Sequence, residues 1–264
     1  MKKIVVLIDF TEGSKIALKQ ALAISVKINA EVFALHIVST QEKLNKAESD
    51  LSEFVSQNNS LSVFVENIVS VGSLASATHA SLKKVSPDIV MVCTHGVKGV
   101  YQHLFGANIL KLVQGINFPC LVVHQNMKTD LSLTNKLLFP IGPHPDFDLK
   151  IKQVTKLAKV FNALIVIYEI DRPGALHEEN SMINAKNSKK YFKENEVEYI
   201  CVIEDIEVMS VGYSRQTIDY AFKNDIGIIC LMADISSNDE MFGFGDKENF
   251  LVNEQGISIF TCND

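Results

Sequence analysis

Short apolar runs rich in Val and Ile, each too brief for a helix, recur at Ile4–Ile8, Val32–Val38, Leu61–Val69, Asp88–Cys93 and Cys120–His124. Most read as strands buried on both faces. Between the first two, Ser14–Ile28 sets Ala17, Leu18, Ala21, Ile24 and Ile28 on one side of a helix and Lys15, Lys19 and Lys27 on the other. Further helices are expected near Glu42–Gln57, Leu74–Val85 and Ala107–Gly115. The second half repeats the order, with strands at Leu137–Ile141, Leu164–Ile170, Val197–Ile203 and Asp225–Met232. Its helices are expected at Asp148–Phe161, Ser181–Lys193 and Val211–Lys223. Continuous apolar strands alternating with amphipathic helices imply a parallel sheet covered on both faces, because parallel neighbours need crossover connections.

Self-similarity sharpens this reading. Asp88-Ile89 and Asp225-Ile226, Cys93 and Cys230, and Phe105-Gly106 and Phe242-Gly243 share one spacing of 137 residues. That spacing also lays Ile257–Phe260 over Cys120–Val123. The opening strands need a spacing of 133, which sets Lys136-Leu137 over Lys3-Ile4. The expectation is a duplicated α/β fold: two tandem doubly wound, Rossmann-like, five-stranded domains at residues 1–126 and 136–264. The polar stretch Gln125–Asn135 is expected to link them.

Composition narrows the function. With 264 residues, 47% of them apolar and 21% charged, the chain has ample material for cores and no low-complexity tract. A formal net charge of −6 argues against nucleic acid, whose non-specific binding needs clustered Lys and Arg. No apolar run is long enough to span a membrane. Asp9 and Glu12 end the first apolar run too soon for a secretory signal, so a cytoplasmic location is expected. The five cysteines include no C-x-x-C pair and read mostly as buried thiols.

In open parallel sheets, ligands settle beyond the carboxyl ends of the strands, where strand order reverses. Asp9 ends the first strand, and Thr94-His95-Gly96 follows the fourth. Gly96, Gly99 and Gly106 permit close backbone approach, and a helix starting near Gly106 would offer unpaired N–H groups to an anion. Asp9 can accept hydrogen bonds from ribose hydroxyls or an exocyclic amine. Against this, Asp9 with Thr11 and Ser14 also reads as a plain helix cap, and His36 as a hydrogen-bonded core histidine. Lys98 reads as a solvated loop lysine, and His95 and His103 are too widely spaced for a metal site. The chain holds no G-x-x-x-x-G-K-[ST], G-x-S-x-G or H-E-x-x-H, and no catalytic constellation stands out. Phe242, Phe244 and Phe250 around Gly243 and Gly245 suggest packing.

Four segments carry a resemblance to the universal stress protein family. They are Leu7-Ile8-Asp9-Phe10-Thr11 through Ala17-Leu18, then Leu35-His36-Ile37, then Thr94-His95-Gly96 to Gly106, and finally Pro119-Cys120-Leu121-Val122-Val123. The resemblance covers the first half and reaches the second through the repeat. It implies a non-catalytic stress-response protein binding an adenine nucleotide of the ATP or AMP class, with or without Mg²⁺. In the positions it implies, Asp9 faces the adenine and ribose, Ile8 and Ile37 line the base, and Val92 lies against the ribose. Gly96, Gly106, Ala107 and Asn108 surround the phosphates. The family's glycine pattern keeps its nine-residue spacing between Gly96 and Gly106 but carries Cys93 at its first glycine and Ala107 at its hydroxyl position. Ala107 removes a donor worth about 1 kcal/mol. In the second half Gly142 replaces Asp9, and no nucleotide site is expected there. The second half is expected to pack on the first as a built-in partner through the last strand, with further homo-oligomers open. A nucleotide-free interaction module of the same fold stands as the alternative. A nucleotidyl transferase or hydrolase rests on fold analogy alone.

Overall fold

Strand β1 (Lys3–Leu7) lies inside the sheet, and every residue from Ile4 to Ile8 is buried. Such a strand must be covered above and below, and the chain meets this need with crossover helices. The structure, a computed structural model, describes residues 1–94, 109–127, 130–171, 178–205, 213–233 and 244–263. In the first half, α1 (Glu12–Ile28), β2 (Glu31–Val38), α2 (Leu44–Asn58) and β3 (Val65–Val71) follow β1. Then come α3 (Leu74–Val85), β4 (Ile89–Thr94), α4 (Ile109–Gln114) and β5 (Cys120–His124). The second half runs β6 (Lys136–Pro140), α5 (Phe147–Phe161), β7 (Leu164–Asp171), α6 (Glu178–Glu194) and β8 (Tyr199–Asp205). It closes with α7 (Tyr213–Lys223), β9 (Ile228–Met232), α8 (Phe244–Leu251) and β10 (Ser258–Cys262).

The strands form one ten-stranded sheet in the order β3-β2-β1-β4-β5-β10-β9-β6-β7-β8. All neighbours are parallel except β5 and β10, which pair antiparallel through Ile259–Val122, Phe260–Leu121 and Thr261–Cys120. One face is packed by α1, α2, α5 and α6, the other by α3, α4, α7 and α8. The expected pairing through the last strand is therefore present within the chain, and it removes two edges that would otherwise lie open.

The halves correspond with the expected spacing of 133 at their opening strands, but the spacing of 137 expected further on is corrected. Asn29 and Asn162 end α1 and α5 in the left-handed conformation, 133 positions apart. Ser86 and Asp225 do the same after α3 and α7, 139 positions apart. Sheet register agrees, since Ile4 pairs with Ile89 and its counterpart Leu137 with Ile228. Cys93 therefore corresponds to Met232 rather than Cys230. Most of the shift arises between strand and helix: two residues join β3 to α3, while seven, 206–212, lie between β8 and α7.

Two other expectations change. Leu61–Phe64 is not strand: the chain turns there, with Ser62 left-handed and Asn59 bonded to Val63 through both side-chain atoms. Leu61 and Phe64 are exposed because β3 is the sheet's edge and begins only at Val65. Residues 130–134 are no loose linker. Leu131 is buried against α1, its N–H donates to Gln20 Oε1 at 2.8 Å, and Lys27 Nζ donates to the Ser132 carbonyl at 2.9 Å. Burying that leucine contributes roughly 1.5–3 kcal/mol.

The seam is held at both ends by counterparts. Asn263, just past β10, donates from Nδ2 to the Val113 and Ile116 carbonyls at the end of α4. His124, 139 positions earlier at the end of β5, is buried beside the Asn253 backbone after α8. Gly256 brings the β10 approach against the first half at φ +73°, where a Cβ would lie 2.5 Å from the Asn126 carbonyl oxygen. Gly256→Ala therefore combines a strained φ with backbone overlap. It is expected to lower unfolding free energy by roughly 2–4 kcal/mol, measured by urea titration of the whole chain.

Candidate functional site

Strand order reverses between β1 and β4, so the crevice of the first half opens beyond Leu7 and Thr94. Asp9 stands at its edge, half-exposed, two residues past β1. Its Oδ1 accepts from Thr11 N–H at 3.1 Å, Thr11 Oγ1 at 2.6 Å and Ser14 Oγ at 2.7 Å. Thr11 in turn caps α1 by accepting from Ser14 N–H at 3.3 Å. The expected cap is thus present with Thr11 as the capping residue, and Asp9 braces it from behind. Among the described residues Oδ2 makes no hydrogen bond, and it remains the oxygen able to meet a ligand.

Phe10 turns the chain from strand to helix at φ 64°, a left-handed geometry that costs a bulky residue about 1 kcal/mol or more. Ring contacts offset that cost: Phe10 lies 4.4 Å from His36 and 5.6 Å, edge-on, from Phe54. His36 bonds the Ile8 carbonyl through Nδ1 at 2.8 Å, which makes it the core histidine expected and fixes the end of β1.

The other expected residues divide. Ile37 pairs one step beyond His36 on β2, and both Ile37 and Val92 belong to the core packed by α3 and α4. Ile8 belongs to the opposite core, against α1, so its side chain does not share a wall with Ile37. Val92 is wholly buried and backs the crevice from within the sheet. Cys93 also points into the α1 core, where burial pushes its thiol up to about 12 and leaves it an inert packing group. The expected His95, Gly96, Lys98, Gly99, His103, Gly106, Ala107 and Asn108 lie outside the described residues, as do Phe242 and Gly243. Among the described residues no cluster of three or more His, Cys, Asp or Glu could hold a metal ion. No described helix is long and apolar enough to cross a membrane.

His124 escaped notice as anything but a strand residue. It sits at the end of β5 beside Thr94, accepts from Asn126 N–H through Nδ1 at 3.0 Å, and is nearly inaccessible. Its only sequence signal is a histidine closing an apolar strand.

Fold and crevice together define a protein of two fused, doubly wound α/β units, each with a crevice at its switch point. Residues 1–124 match the model of the universal stress protein family. Solved structures show the same architecture over the whole chain. A universal stress protein from Archaeoglobus fulgidus is 13% identical, covering 99% of this chain and 96% of that one, with a TM-score of 0.71. A putative universal stress protein from Pseudomonas aeruginosa is 16% identical, covering 100% and 93%, with a TM-score of 0.65. The cytoplasmic domain of a prokaryotic cation chloride cotransporter is 12% identical, covering 100% and 95%, with a TM-score of 0.55. No curated protein matches the chain.

Two outcomes follow. Removing the carboxylate in Asp9→Ala strips three hydrogen bonds from the start of α1 and is expected to cost roughly 1–2 kcal/mol by chemical denaturation. Desolvation lowers the His124 pKa below its ordinary 6.5, so the unfolded chain takes up the proton first. His124 therefore makes stability rise with pH up to about 6.5 and fall on acidification below it. In His124→Gln, a pH series of urea midpoints is expected to be flatter below pH 6.5 than in the parent protein.

Proposed function

We propose that the first domain, residues 1–126, is a non-catalytic receptor for an adenine nucleotide in a cytoplasmic stress-response protein. The second domain, residues 136–264, serves as its fused partner. The observation that supports this most directly is Asp9: a carboxylate fixed at the switch point through one oxygen, with the other oxygen left to accept from ribose or adenine. The match of residues 1–124 to the universal stress protein family supports the same reading. In this proposal Ile37 contacts the base, Ile8 and Val92 support Asp9 and the crevice floor from inside the sheet, and Gly96, Gly106, Ala107 and Asn108 meet the phosphates. Mg²⁺ would neutralise phosphate charge near Asp9.

A second reading, a nucleotide-free interaction module, is favoured by one observation. Thr11 and Ser14 already engage Asp9 in bracing the cap of α1, which needs no ligand. Calorimetric titration of the whole chain with ATP, ADP and AMP, with and without Mg²⁺, separates the two. The receptor reading expects one nucleotide per chain and about tenfold or weaker binding in folded Asp9→Ala. Flat heats with all three nucleotides would leave the interaction module standing.

A further inference from the structure

The second half has a crevice of its own, and its chemistry is reversed. Strand order turns again between β6 and β9, and a cavity of about 40 Å³ lies at their carboxyl ends. Gly142, Met232, His144, Lys150 and Lys247 are among the residues that line it. The spacing of 133 that relates the caps Asn29 and Asn162 sets Gly142 at the place of Asp9 and Lys150 at the place of Ala17. The first crevice's carboxylate has thus become a glycine, and an alanine of the helix's buried face has become a lysine. Lys247 on α8 supplies a second ammonium group.

Both lysines are unusually withdrawn from water, with 3% of Lys150 and 8% of Lys247 exposed. A lysine is rarely this buried, because desolvating its charge is costly. Lys150 Nζ donates to the Pro140 carbonyl at 2.5 Å and stands 4.4 Å from the Phe139 ring and 4.7 Å from the Phe147 ring. Carbonyl and ring faces hold the cation in place. The turn opposite is equally fixed: Asn184 Nδ2 donates to the Gly142 carbonyl at 2.8 Å and the His144 carbonyl at 3.1 Å. Asp146 N–H donates to His144 Nδ1 at 3.1 Å, which puts the neutral ring's proton on Nε2 and makes that edge a donor.

We propose that this cavity is a site for a small oxyanion of the phosphate class, bound by Lys150 and Lys247 with His144 as a neutral donor. The volume admits about three waters or one such ion, and is too small for a nucleoside. The ligand is either free phosphate or the phosphate end of a larger molecule reaching in from solvent. This site is independent of the nucleotide reading for the first half.

The test is thermal unfolding and calorimetry of the whole chain in potassium phosphate against potassium chloride at matched ionic strength. A saturable rise in Tm with phosphate is expected, since a ligand of the folded state stabilises by mass action. Lys247→Met and Lys150→Met are expected to weaken phosphate binding about tenfold or more while circular dichroism stays native. Because Lys150 also holds the Pro140 carbonyl, Lys247→Met decides the matter if Lys150→Met does not fold. Glycerol 3-phosphate binding more tightly than phosphate assigns the site to a phosphate-bearing molecule, and equal or weaker binding assigns it to the free ion. No saturable rise in folded protein, or a rise unchanged in Lys247→Met, overturns the proposal.

Discussion

The antiparallel pairing of β5 with β10 is the contact on which the rest of the architecture depends. Every other neighbouring pair in the sheet is parallel, so this junction sets the strands of the two halves running in opposite directions. Ligand crevices in such sheets form at the carboxyl ends of strands. One reversal at the seam therefore sends the two crevices to opposite edges of a continuous sheet. It also makes each half's last helix end beside the other half's crevice. Gln114, closing α4, donates to the Ala233 carbonyl just past β9 at 3.3 Å, while the backbone after α8 meets His124 at the end of β5.

The two copies have kept what the backbone requires and changed what the side chains do. Left-handed caps survive as Asn29 and Asn162, and as Ser86 and Asp225, because a helix that must stop and re-enter the sheet needs a residue tolerant of positive φ. At the crevices nothing comparable constrains the residue type. Asp9 gives way to Gly142 and Ala17 to Lys150, and the link from strand to helix changes with them: α1 starts at Glu12 after the left-handed Phe10, whereas Pro143 stands at the place of Phe10 and α5 starts only at Phe147. Divergence of the crevice loops and side chains on a shared sheet is how duplicated α/β units come to host unlike chemistry on one fold.

Strands and helices were legible because their periodicities are strong: Leu74–Val85 was read with its observed bounds, and most others fall within a few residues. Failures came where sequence pattern and tertiary context part company. Leu61 and Phe64 look like strand core but lie on a turn ahead of an edge strand, where the apolar pattern carries no burial. The spacing of 137 matched two cysteines and two Phe-Gly pairs, yet sheet register and helix caps give 139, since hydrogen bonds and not residue identities fix strand correspondence. Lys150 was invisible for a related reason. A lysine in an amphipathic helix reads as solvent-facing, and only its correspondence to the buried Ala17 of α1 marks it as buried.

The same logic bears on Asp9, whose structural role and proposed recognition role do not exclude each other. A carboxylate offers about four acceptor positions on two oxygens, and the cap of α1 takes those of Oδ1. That arrangement locks the side-chain torsions and holds Oδ2 at one position before any ligand arrives. The ordering cost that a free aspartate would meet on binding has then been met during folding. A residue can be a structural cap and a recognition group at once when the two roles fall on different atoms. His36 and Phe10 extend the principle, since the histidine pins the Ile8 carbonyl and the strained phenylalanine packs upon it. What holds the first crevice in shape is thus drawn from α1, β2 and α2.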